Sequence, residues 1–101
     1  MPDLPSDTMA ALERHFHGVI RGRAGDLIDQ HGVALPDLAT TLRSSKSAWF
    51  PVPGMYGGFS YRLDADRPAL IVESWCRVVG GSGQRHEVTP EGARLVAEGF
   101  V

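Results

Sequence analysis

The chain has 101 residues, 43% of them hydrophobic and 22% charged, with a formal net charge of −2. That length suits one domain with a single core, and the slightly acidic balance argues against a generally basic nucleic-acid coat. The one cysteine, Cys76, excludes an internal disulfide and suits a reducing compartment. No apolar run approaches the length of a membrane span, and the opening Met-Pro-Asp-Leu-Pro-Ser lacks the basic and apolar regions of a signal peptide, so the expected location is cytoplasmic.

After a short extended lead, Ser6 or Asp7 can cap a helix. At about 100° per residue, Met9, Leu12, Phe16, Ile20 and Leu27 fall on one apolar stripe, which predicts a helix over residues 8–30. Gly18, Gly22 and Gly25 lie nearly opposite that stripe. They admit a break near Gly22 to Gly25, or a smooth surface on which a second helix could pack; a homodimer through residues 8–30 is therefore expected, although Arg14, Arg21 and Arg23 surround the glycines. Gly32 should close this helix. Residues 36–43 give a short second helix, with Leu35, Leu38 and Leu42 on one face and Pro36 in its first turn.

Trp49-Phe-Pro-Val-Pro-Gly-Met-Tyr-Gly-Gly58 is too interrupted by proline and glycine for a helix and too apolar to lie free in water. It reads as an extended arm over a sheet edge, anchored by Trp49, Phe50, Met55 and Tyr56. Three strands are expected at 58–63, 69–79 and 84–88, joined by Asp64-Ala-Asp-Arg-Pro68 and by Gly80-Gly-Ser-Gly83. The apolar, β-branched run 69–79 should be the middle strand of this antiparallel meander, with Leu70, Val72 and Val78 facing the helices. Pairing Val79 with Gln84 would set Arg77 opposite His86 and Trp75 opposite Val88; a one-residue slip would set Cys76 opposite His86. Thr89-Pro90-Glu91 has the chemistry of a helix start, Leu95 and Val96 supply a buried face, and Gly99 with Phe100 suits a helix end, so a last helix is expected at 89–98. The whole is one α+β domain, residues 1–101: N-terminal helices packed on a three-stranded antiparallel meander, closed by a C-terminal helix.

No motif specifies a chemistry. His15 and His17 are two apart on a helix and diverge, and His31 and His86 lie elsewhere, so no metal site or cofactor is expected. Cys76 and His86 would form a nucleophile–base pair only in the slipped register. The glycine turn lacks the lysine and following helix of a phosphate-binding loop. No catalytic residue is assigned. The chain reads instead as a non-enzymatic binding or regulatory module in which Trp49, Tyr56 and Trp75 line a cleft rimmed by Arg77, Gln84, Arg85 and His86, able to take a small anionic ligand or a protein partner.

A second reading comes from Leu38-Ala-Thr-Thr-Leu-Arg-Ser-Ser-Lys-Ser-Ala-Trp49, which resembles the helix–turn of a helix-turn-helix. The hairpin 69–88 followed by Val88-Thr-Pro-Glu-Gly92 looks like the wing and final helix of winged-helix regulators, and that resemblance implies nucleic-acid binding. It departs where a recognition helix would start, near Ser45, because Pro51 and Pro53 stop it and few basic residues face phosphates, so nucleic acid ranks below the other partners.

Overall fold

The computed structural model of the chain describes residues 4–42, 45–64, 66–77 and 82–99. It is an α+β fold: helix α1 (Ser6–His31) and the short α2 (Leu38–Thr41) lie against one five-stranded antiparallel sheet formed by β1 (Ser47–Val52), β2 (Gly57–Leu63), β3 (Leu70–Cys76), β4 (Ser82–Thr89) and β5 (Gly92–Glu98). Spatial order follows chain order, so β3 stands at the centre and β1 and β5 are the edges.

The apolar stripe explains the placement of α1. Leu12, Phe16, Val19, Ile20, Ala24 and Ile28 are buried against the sheet, while Met9 and Leu27 pack at the margin of the core. The helix contour, about 39 Å at 1.5 Å per residue, matches the longest dimension of the molecule, 37 Å. It is not straight: Ala24 leaves helical geometry at φ −141° and ψ 25°, between Gly22 and Gly25, where the glycines weaken the helix. Gly32, at φ 62°, closes it, and the Val33 N–H reaches back 3.1 Å to the Ile28 carbonyl. The residue before the helix is Pro5, which offers no side-chain cap; the expected caps, Ser6 and Asp7, lie inside the first turn.

The second helix is shorter than residues 36–43 because Asp37 caps it by accepting from the Thr40 N–H, which leaves Pro36 outside. Glu13 accepts from the Leu38 N–H at 2.8 Å, and His17 Nε2–H donates to the Pro36 carbonyl at 2.7 Å, so α1 holds this connection from two sides.

Leu70, Val72, Ser74 and Cys76 of β3 face the helices, joined by Phe59 and Tyr61 from β2 and Val88 from β4. The Phe16 and Tyr61 rings meet at 4.6 Å, and the Tyr61 hydroxyl escapes isolation by donating to Thr41 Oγ1 at 3.0 Å. Among the buried residues Ser74 is the polar one, and its Oγ accepts from Arg23 Nε at 3.0 Å.

Three expectations are corrected. The segment 89–98 is not a helix: Thr89 pairs with Gly92 around a Pro90–Glu91 turn, Thr89 Oγ1 accepts from the Glu91 N–H, and residues 92–98 return as β5. Proline second and glycine fourth are turn positions as well as helix-start positions, and pairing with β4 selects the turn. The arm at 49–58 is not a loose cover but an edge strand and hairpin; Pro51 is accommodated because β1 has only one neighbour. Neither proposed register of the 69–88 hairpin occurs: His86 lies opposite Val72, Trp75 opposite Gly83 and Leu70 opposite Val88. Val78 and Val79, Gly80 and Gly81 of the glycine turn, and Phe100 with its helix-closing contact lie outside the described residues. Leu95 and Val96 are exposed. Among the described residues no helix is long and apolar enough to cross a membrane.

Candidate functional site

The face of the sheet away from the helices carries Trp49, Ser60, Arg62, Glu73, Trp75, Arg85, Glu87 and Arg94. Most of its charges are engaged in cross-strand pairs. Glu73 accepts from Arg85 at 2.6 Å and lies 3.9 Å from Arg62, while Glu87 is bracketed by Arg67 and Arg94. Hydrogen bonding from Arg67 holds the Glu87 carboxyl below its ordinary value, against the opposing effect of desolvation.

At one end this ionic lattice gives way to aromatic surface. Trp49 and Trp75 approach to 6.0 Å between ring centroids, tilted by 45°. They meet across Gly58, which pairs with both Pro51 and Trp75. Next to them the β1–β2 hairpin turns on Pro53 and Gly54, with Gly54 at φ 82° and the Met55 N–H bonded to the Val52 carbonyl at 3.1 Å, the arrangement of a type II turn. Tyr56 follows at φ 52°, a left-handed conformation rare for an aromatic residue.

The loop is fixed from below. The Met55 side chain is fully buried and its carbonyl accepts from the Arg77 N–H at 3.2 Å, which sets Tyr56 and Arg77 side by side. A Cβ on Gly57 would collide with the Trp75 carbonyl, so glycine is required where the hairpin re-enters the sheet. Trp49, Tyr56, Gly57, Trp75 and Arg77 thereby line an open cleft of about 520 Å³. Trp49 is 52% and Tyr56 76% exposed, so they are displayed rather than serving as the anchors expected of them; Met55 is the buried anchor, and Phe50 packs at the margin of the core. The Arg77 side chain makes no ion pair among the described residues.

The seven residues expected to share one site divide between the two faces of the sheet. Trp49, Tyr56, Trp75 and Arg77 come together as described. Arg85 is on the same face but belongs to the ion-pair lattice through Glu73. Gln84 and His86 project to the helix side, where they line a separate cleft of about 430 Å³ with Arg14, His15 and Arg23 of α1. This division follows from the register, since His86 shares parity with Val72 and Ser74 rather than with Trp75. Cys76 is buried opposite Ser82, four ladder positions from His86, so thiol and imidazole form no dyad. No group of three metal-ligating side chains occurs among the described residues.

Arg14, His15 and Arg23 were not singled out as site residues from sequence, although the signal was present as basic residues alternating with glycines on one side of α1. The segment in which a recognition helix would have to begin is β1. Comparison with known proteins matches no family model, no curated protein and no solved structure.

Proposed function

We propose that this protein is a small binding or regulatory module that meets a protein partner through the cleft formed by Trp49, Tyr56, Trp75 and Arg77. The observation that carries this reading is the display of Tyr56, exposed and held in a left-handed backbone conformation, beside Trp49 and an Arg77 with no ion pair among the described residues. Tryptophan, tyrosine and arginine are the side chains that most often dominate binding energy at protein interfaces, because they bury large areas with few rotors while offering a polar tip. Backbone strain of this kind persists where the surroundings impose it, here Met55 beneath and the Arg77 N–H behind. The paired arginines and glutamates of the sheet face supply a polar rim. The fitting partner presents an apolar side chain next to a carboxylate, the first for the indoles and the second for Arg77.

Affinity capture from a cell extract tests this with immobilised wild type, Trp49→Ala, Arg77→Glu and Arg14→Gln. A protein retained by wild type and Arg14→Gln but lost from the other two supports the reading. Equal retention by all four, or none by wild type, refutes it.

A further inference from the structure

The second cleft lies on the other side of the sheet, between α1 and the β4–β5 ribbon, and the aromatic surface makes no use of it. Its walls bring together Arg14, His15 and Arg23 from the helix with Gln84 and His86 from β4. Gly18 and Gly22 line it as well and put no side chain into it; an ideal Cβ at either would meet nothing within 4 Å. No carboxylate is among the lining residues; Glu98 lies opposite Gln84 in the β4–β5 ladder.

We propose that this cleft is a binding site for a small oxyanion ligand of the phosphate-monoester class. Two guanidinium groups match the two negative charges such a group carries near neutral pH, and arginine's planar fork of donors fits oxyanion geometry. The arginines differ in how they are held. Arg23 is fixed from the sheet side, its Nε donating to the fully buried Ser74 Oγ at 3.0 Å, whereas Arg14 is exposed and makes no ion pair among the described residues. One arginine positioned by the sheet and one exposed at the rim is the arrangement of a clamp whose second arm turns onto the ligand.

His86 adds a neutral donor. Its Nδ1 is buried without a hydrogen-bond partner among the described residues. A proton there would be a buried, unsatisfied donor, so the proton sits on Nε2, the nitrogen left for the cleft. Burial first, and the charge of Arg23 second, keep the ring neutral by lowering its pKa. The Gln84 amide can supply a further donor. A volume of about 430 Å³ takes a phosphate with a small organic body.

The test uses the full chain labelled with 15N and titrated with inorganic phosphate, phenyl phosphate and succinate at constant ionic strength, observed by amide shifts. Phosphate and phenyl phosphate should move residues 14–23 and 84–86 along saturating curves, with succinate weaker. Arg14→Gln should cost about tenfold in affinity, the scale of one charged hydrogen bond. Gly22→Leu fills the cleft without changing charge and should abolish binding while the spectrum stays folded; Arg77→Gln should bind as wild type. Unsaturable shifts scattered over all arginines, or unchanged affinity in both Arg14→Gln and Gly22→Leu, would overturn the proposal. So would sedimentation as a dimer that Gly22→Leu splits, with no phosphate-dependent shift, because that assigns the glycine face to a second copy of the chain.

Discussion

Gly58 stands opposite Trp75 in the β2–β3 ladder, and its missing side chain lets Trp49 lean across it to bring the two indoles within 6.0 Å. A Cβ at Gly58 would lie 3.0 Å from Trp49 Cζ2 and closer still to the Phe50 carbonyl. The aromatic surface is thus built around an absence of atoms at one position of the sheet. Gly58→Ala should cost about 1–3 kcal/mol, as overpacking of backbone against backbone does, and should change the near-ultraviolet circular dichroism of the tryptophans. Urea unfolding gives the first and the spectrum the second; an unchanged spectrum would show that Gly58 does not set the indole pair.

The Glu73 carboxylate draws on two arginines, with Arg85 at 2.6 Å and Arg62 at 3.9 Å, and its side chain is only 18% exposed. The arginines are far more open, so water and salt screen the pairs. Glu73→Gln keeps the shape and removes the charge, and should cost no more than about 1 kcal/mol. The loss should shrink as salt rises toward about 1 M, where the screening length falls to about 3 Å. Stability measured at both ionic strengths decides it, and a salt-independent loss would mean that shape or hydrogen bonding outweighs charge.

His86 predicts a pH dependence with a definite sign. Burial, then the charge of Arg23, lower its pKa in the folded chain. The unfolded chain takes up the proton first, near the ordinary value of about 6.5. The stability associated with the neutral ring is therefore complete above that pH and is lost as pH falls through the lower folded value. Glu87 is also lowered, by the hydrogen bond from Arg67, but its loss belongs to the more acidic range below the ordinary carboxylate value. Stability measured from pH 7.5 down to 5 should decline for wild type, beginning near His86's unfolded value, and stay nearly flat for His86→Gln. A decline that survives in the variant would move the effect to another group.

The legible parts of the fold were those with a strong period or a strong local rule. The α1 stripe and the Gly32 cap are local, and the alternation of β3 identifies its buried face without any partner. What could not be read depended on pairing. Thr89-Pro90-Glu91-Gly92 satisfies both a helix start and a hairpin turn, and β5 carries no alternation because it is an exposed edge whose pairing shifts at a bulge between Arg85 and His86. The aromatic half of the site was legible because Trp49 and Tyr56 flank a Pro-Gly turn. Its division from Gln84 and His86 was not, since parity across the β3–β4 ladder decides the face and the turn length leaves parity open. Two more strands than expected also give the long α1 a wider sheet to cross.

Tyr56 offers the sharpest separation of display from packing. Tyr56 is 76% exposed, so its side chain contributes little burial, while its φ of 52° carries a left-handed cost of about 1–2 kcal/mol for an ordinary side chain. Asparagine tolerates that conformation far better. Tyr56→Asn should therefore leave the fold intact and raise its stability by up to about 1 kcal/mol, although the substitution removes an aromatic group. If the residue is kept for recognition, the same variant should lose the partner captured by wild type. Urea midpoints and the capture assay read the two effects separately. A variant less stable than wild type by about 1 kcal/mol or more would show that the ring packs in the fold, and that its exposed display is not what the strain maintains.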